Sequence, residues 1–191
     1  MERLLAGKLS LELQLDVLEA AGQRPSLKPL VTRYNDGLDR KGLLAPFRET
    51  LAGGNAAAGR KIFIERADVS CVRCHKIGND GGDVGPNLAG IGQRQVREYL
   101  LESLVAPNAK IAPGFEGVTL TMKNGTLHAG SVKQETNDEL VLNSPEEGVL
   151  TLRKSDIIDR QRGLSGMPEG LGQTLSKRDL RDLIEFLTTL T

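Results

Sequence analysis

A chain of 191 residues can fold as one large domain or two small ones. With 39% hydrophobic residues, 3% aromatics and no Trp, the core its side chains can build is aliphatic. The 25 basic and 25 acidic residues cancel, which gives no support to nucleic-acid or polyanion binding, and no run approaches the roughly 20 apolar residues of a membrane-spanning helix.

In chain order, the spacing of Leu11, Leu15 and Leu18 predicts a helix over 10–21, with Gly22 as its stop. A second helix fits 26–35 after Pro25, with Leu27, Leu30, Val31 and Tyr34 on one face. Two short helices joined by a tight turn are either the end of a HEAT-like array or a plain hairpin packed on the next domain. The pattern breaks at Asn35-Asp36-Gly37 and again at Gly53-Gly54-Asn55. Residues 1–50 therefore read as hairpin and linker, and 51–191 as a separate unit. A helix over 56–66 opens that unit, and Gly59, Ile62 and Phe63 can share its face.

That helix leads into Cys71-Val72-Arg73-Cys74-His75, which holds both cysteines and one of the two histidines. Two thiols separated by two residues, followed at once by an imidazole, form the attachment pattern of c-type haem. Each thiol can add to one vinyl group of the porphyrin, and the short spacer carries His75 under the iron as proximal ligand. A structural zinc site would want four ligands, and the spare histidine, His128, lies more than fifty residues away. A thioredoxin-like pair would need a preceding strand and a helix opening at Cys71, which the flanks do not show. One covalent haem, tethered by Cys71 and Cys74, is the expectation. A buried porphyrin would also supply the flat apolar body that an aliphatic core lacks.

About ten residues further on comes Gly85-Pro86-Asn87-Leu88. A proximal histidine usually donates its second ring N–H to a carbonyl, and that of Pro86 is the candidate acceptor. Leu88 is expected against the porphyrin edge, and Arg94 near a propionate. A helix is predicted over 93–105, with Val96, Leu100 and Leu104 joined by Tyr99 or Leu101, and Pro107 ends it. Then the period changes to two. Val118, Leu120 and Met122 share one phase of 117–123, and Asn124-Gly125 supplies a hairpin turn. Strands continue over 126–134, 139–143 and 148–153, separated by Thr136-Asn137-Asp138 and Pro145-Glu146-Glu147-Gly148. Four or five antiparallel strands, as a sheet or barrel, thus form an insertion at about 114–160.

Met122 shares the apolar phase of its strand and is expected in the core. Met167 instead sits in Gly163-Leu164-Ser165-Gly166-Met167-Pro168-Glu169-Gly170, too glycine-rich for core, and is the candidate second iron ligand. His128 is the rival: out of phase with Leu127 and Ala129, it is either solvent-facing or the second ligand of a bis-histidine site of lower potential. In the last helix, Ser176 and Asp179 form a capping box ahead of the stripe Leu180, Leu183, Ile184, Leu187 and Leu190, with Phe186 beside it.

Taken in order, Gly59 and Phe63, the Cys71–His75 run, Gly85-Pro86-Asn87-Leu88, Met167-Pro168 and Phe186 resemble the class I cytochrome c family. The stretch from about 54 to 191, roughly 70% of the chain, is similar to the haem-binding domain at the C-terminus of large exported planctomycete-type proteins. In those, a β-propeller resembling sugar dehydrogenases often precedes helical repeats and this domain. The resemblance implies a mainly α, class I haem domain with a small β insertion and close packing of Gly59 on the Phe186 helix. It also implies His75/Met167 ligation and a redox partner, either an upstream dehydrogenase-like domain or a separate protein. It is weak for residues 1–50, and it does not assign the dehydrogenase's own activity to this chain.

Met1-Glu2-Arg3 opens an amphipathic pattern rather than the apolar run of a signal peptide. Haem c is attached outside the cytoplasm in bacteria. An exported, periplasmic location is therefore expected, with this chain a C-terminal piece of a longer protein. The expected function is electron transfer, not catalysis. The competing reading is an open or bis-histidine site acting in peroxide chemistry or gas sensing. A third gives the strand insertion a docking role.

Overall fold

A computed structural model describes residues 1–38, 41–144 and 146–191. Pro145, expected at a turn between strands, lies outside them. After a single turn α1 (Glu2–Leu5), helix α2 (Leu11–Gly22) buries Leu15 and Leu18 of the predicted stripe together with Ala21, while Leu11 is half-buried. The second helix starts later than expected. Pro25–Leu27 form a 3-10 turn and α3 spans Lys28–Gly37, running through the expected break at Asn35-Asp36-Gly37. Its side chains Leu30, Val31 and Tyr34 are only half-buried. The break at Gly53-Gly54-Asn55 does fall between elements, after a 3-10 segment Ala45–Thr50. Ion pairs join α2 to the last helix: Asp16 meets Arg178 and Arg181, and Arg178 also meets Glu19.

Helix α4 (Ala56–Glu65) begins at Asn55, whose side-chain oxygen accepts the Ala58 N–H at 3.0 Å, an ordinary N-cap. The short helix α5 (Cys71–Cys74) holds the two thiols, and a two-stranded ribbon, β1 (Lys76–Ile77) and β2 (Asp80–Gly81), comes after it. The helix predicted over 93–105 is two pieces, α6 (Ile91–Arg94) and α7 (Arg97–Val105). Val96, expected on the apolar face, is the extended residue before α7 and is 65% exposed. Arg97 just after it donates to both Glu185 carboxylate oxygens and to the Leu51 carbonyl, which fixes where α7 starts.

Five antiparallel strands come next: β3 (Gly117–Met122), β4 (Leu127–Glu135), β5 (Glu139–Ser144), β6 (Gly148–Arg153) and β7 (Ile157–Arg162). Their order is β6-β5-β4-β3-β7. No ladder between β6 and β7 is present among the described residues, so this is a sheet with two edges rather than a closed barrel. The apolar phase read in β3 is the buried one, with Val118, Leu120 and Met122 all inside. The fifth strand carries the insertion to Arg162, past the expected boundary near 160. Because β7 pairs with β3, the insertion leaves where it entered, and the Gly163 N–H donates to the Gly117 carbonyl at 2.7 Å. The expectation of a mainly α fold is borne out only in part: the helices are present, but the sheet is a substantial second body with a core of Val118, Leu120, Leu140 and Leu142.

A single turn α8 (Leu171–Thr174) precedes the last helix, α9 (Lys177–Thr188), whose capping box of Ser176 and Asp179 is present in both directions. Helix α9 crosses α4 so closely that a Cβ added to Gly59 would lie 1.9 Å from the Asp182 carbonyl oxygen. Only glycine permits that approach. Phe63 and Phe186 pack beside the crossing with ring centroids 5.7 Å apart, a tilted aromatic pair. With Leu100, Leu101, Leu104, Leu180, Leu183 and Ile184 they form the helical core.

Candidate haem site

The chain enters the site through Ser70, a non-glycine residue with φ 46°, whose hydroxyl donates to the Ala67 carbonyl. This reversal starts α5 at Cys71, so that Cys71 and Cys74, three apart, lie on one helical face. Both sulfurs are free and both residues half-buried. Cys71 packs on the helical core, and burial pushes its thiol pKa up.

His75 ends the turn, its N–H bonded to the Cys71 carbonyl at 3.0 Å. The next loop folds back over the motif through three backbone bonds. Gly82 donates to Val72, Gly85 to Cys74 and Leu88 to Lys76, at 2.9, 2.7 and 2.7 Å. This brings the Pro86 carbonyl to 2.9 Å from His75 Nδ1. A carbonyl can only accept, so Nδ1 carries the proton and Nε2 keeps its lone pair. Burial lowers the His75 pKa, against the opposing effect of the Pro86 bond, which keeps the ring neutral. Gly85 lies flat against the ring: a Cβ there would be 2.7 Å from His75 Cε1. The imidazole is thus oriented and held neutral, with one nitrogen prepared to ligate a metal.

The donor set suits a c-type haem. Two free thiols share a face, followed by a fixed neutral imidazole, beside a core edged by half-buried Val72, Ile77, Leu88 and Met167. Among the described residues, no cluster of three or more His, Cys, Asp or Glu side chains is arranged to hold a metal ion, whereas structural zinc needs four ligands. Met167 is half-buried against the same helical core as Cys71 and Leu88, so three residues far apart in sequence meet on one body. Arg94 is exposed on α6 and makes no ion pair among the described residues.

His128 is not where the sequence put it. On β4 it lies opposite Leu120 and so shares the inner face, while Leu127 and Ala129 are exposed. Its side chain is 14% exposed, with Nδ1 2.8 Å from Glu147 Oε2, and this correction comes from strand register alone. Sequence reasoning also passed over Asn108, which bonds to the Met167 loop; its partners lie 57 and 61 positions on, beyond any local pattern.

This arrangement suits the attachment of a c-type haem. Residues 56–141 match the family model for cytochrome c. A 63-residue stretch is 35% identical to a "Cytochrome c-553-like" protein of Synechocystis sp., covering 33% of this chain and 55% of that protein. The chain thus spans about half the length of the curated relative it matches. The family match runs from α4 into β5 and stops before the Met167 loop and α9. The cofactor is haem c, bound covalently.

Proposed function

We propose that the chain is a one-electron carrier rather than an enzyme, with His75 and Met167 as the axial ligands of its haem. The observation that carries the reading is the His75–Pro86 hydrogen bond, which leaves Nε2 as the free donor beside two free thiols. When bound, the haem supplies a reversible one-electron change between ferric and ferrous iron. In this reading Cys71 and Cys74 hold it by thioether bonds, and the Pro86 carbonyl steadies the proximal ring. Leu88 covers the porphyrin, and the guanidinium of Arg94 meets a propionate carboxylate. The thioether of Met167, soft and neutral, favours the ferrous state and a high potential. The electron donor is a sugar-dehydrogenase-like domain, fused upstream or separate, and the location is outside the cytoplasm. Both rest on the likeness to cytochromes and to exported planctomycete-type proteins. No helix among the described residues is long and apolar enough to cross a membrane.

The test is optical. The ferric protein is expected to show the weak red charge-transfer band of thioether ligation, and pyridine haemochrome to give one haem per chain. Met167→Ala should abolish that band and lower the potential by on the order of 0.1 V, within the ~0.8 V that axial ligands command. An unchanged spectrum and potential overturns the Met167 assignment. A high-spin, five-coordinate parent spectrum would instead favour an open site for peroxide or a gas.

A further inference from the structure

The candidate ligand Met167 sits between Gly166 and Pro168 in a loop with glycines at 163, 166 and 170, a segment of high conformational entropy. The loop also hangs from the end of β7, so any movement of the sheet would reach it. Something must fix it to the helical body if its sulfur is to be presented in one place.

We propose that Asn108 is that fixing group, a positioning residue for the Met167 ligand; the proposal rests on the His75/Met167 reading. Asn108 lies beyond the end of α7, just after the buried Pro107, in a turn closed by the Ala109 N–H donating to the Ala106 carbonyl. Its Oδ1 accepts the Ser165 N–H at 2.7 Å. Its Nδ2 donates to Glu169 Oε1 at 2.5 Å. The two bonds grip the loop two residues before and two residues after Met167. Inside the loop, the Ser165 hydroxyl accepts the Met167 N–H at 3.1 Å, which passes the constraint to the ligand residue itself. One amide side chain therefore holds both ends of the ligand segment to the end of α7, whose Leu100, Leu101 and Leu104 lie in the helical core. The acceptor and donor of a single amide match the two partners, whereas a carboxylate would repel Glu169 and a hydroxyl would span only one of them.

The consequence is thermodynamic competition at the iron. An external ligand such as imidazole must displace the thioether, so a loosened loop lets it bind more tightly. Asn108→Ala should raise the affinity of the ferric protein for imidazole roughly three- to tenfold, the value of one hydrogen bond. It should also speed hydrogen exchange at the Ser165 amide, a readout independent of the haem. The double variant Asn108→Asp with Glu169→Gln reverses donor and acceptor, keeps the acceptor for Ser165 and should restore both values. Asn108→Asp alone keeps the acceptor for Ser165 but repels Glu169, so its imidazole affinity should lie between those of the parent and Asn108→Ala. Met167→Ala separates the two ideas. If it leaves imidazole affinity and spectrum unchanged, the ligand assignment fails. If it strengthens imidazole binding while Asn108→Ala leaves affinity and Ser165 exchange at parent values, the ligand stands and the clamp is overturned. Should Asn108→Ala not fold, failure of the double variant to recover more than Asn108→Asp does equally overturns it.

Discussion

In the helical body the backbones of α4 and α9 touch at Gly59, and the apolar side chains of both helices gather with those of α7 in one large core. In the sheet Val118, Leu120, Leu140 and Leu142 form a small core, ringed by Val132, Leu150, Leu152 and Ile157. The edges of the two cores differ more than their size. The helical core is bordered by half-buried Cys71, Val72, Ile77, Leu88 and Met167, apolar surface of the kind a flat cofactor covers. The sheet completes its core from its own strands, and enters and leaves the chain at one backbone hydrogen bond between Gly117 and Gly163. One body is built around a guest; the other is self-sufficient. A segment whose ends already meet can be inserted with little cost to its host.

The largest effect that would break this comparison lies at the helix crossing. A Cβ on Gly59 meets the Asp182 carbonyl oxygen, backbone against backbone, so even Gly59→Ala must push α4 and α9 apart. The expected cost is about 3 kcal/mol or more, at the upper end of overpacking effects. Denaturant unfolding followed by haem absorption and by helical circular dichroism measures it. A parent-like midpoint would mean that the two backbones do not touch.

A second effect, of similar size but confined to the sheet, sharpens the independence of the two bodies. Leu120 is fully enclosed in the sheet, and Leu120→Ala should cost the sheet roughly 2–5 kcal/mol. The haem spectrum and the unfolding midpoint read from it should stay at parent values. If sheet and haem signals shift together, the two bodies unfold as one unit and the neck at Gly117 and Gly163 transmits stability after all.

Legibility in the sequence divides along the same line between local and long-range causes. Local rules were enough where one residue type decides: the capping box at Ser176 and Asp179, the alternation of Val118, Leu120 and Met122, and the break at Gly53-Gly54-Asn55. The Pro86 carbonyl was legible too, because a ligand histidine usually donates its second ring N–H to a nearby carbonyl. The break at Val96 was not legible, since no glycine or proline marks it. It is set by Arg97 reaching Glu185, 88 positions away. The polar strand β7 shows no alternation because its register places Arg160 and Arg162 on the inner face at an open edge. Helix α9 hid its charges in the same way. Arg181 and Asp182 are buried by contacts with Asp16 and Asn55, which no helical periodicity could announce. His128 was misread because face was judged from its neighbours, when the ladder to Leu120 decides it.

The smallest expected effect concerns how the open sheet is held in shape. Glu135, at the end of β4, accepts from Lys154 at 2.7 Å and from Arg160 on β7 at 2.9 and 3.1 Å. It thus links β4 to a strand and to a turn with which it forms no ladder. The Lys154 ammonium, then the Arg160 guanidinium, hold its carboxyl below the ordinary value of 4.5. A depressed folded pKa makes the unfolded chain the better proton binder. The contribution is then complete above about pH 4.5 and lost as the pH falls through the lower folded value. The three side chains are 29–43% exposed, so the contribution is modest, roughly 0.5–1 kcal/mol. Glu135→Gln should therefore be less stable than the parent by about that amount at pH 6. The gap should close on acidification toward pH 3, and shrink in high salt as screening sets in. A gap that persists unchanged in acid would assign the effect to packing of the glutamate stem, and the edges of the sheet would then need another tie.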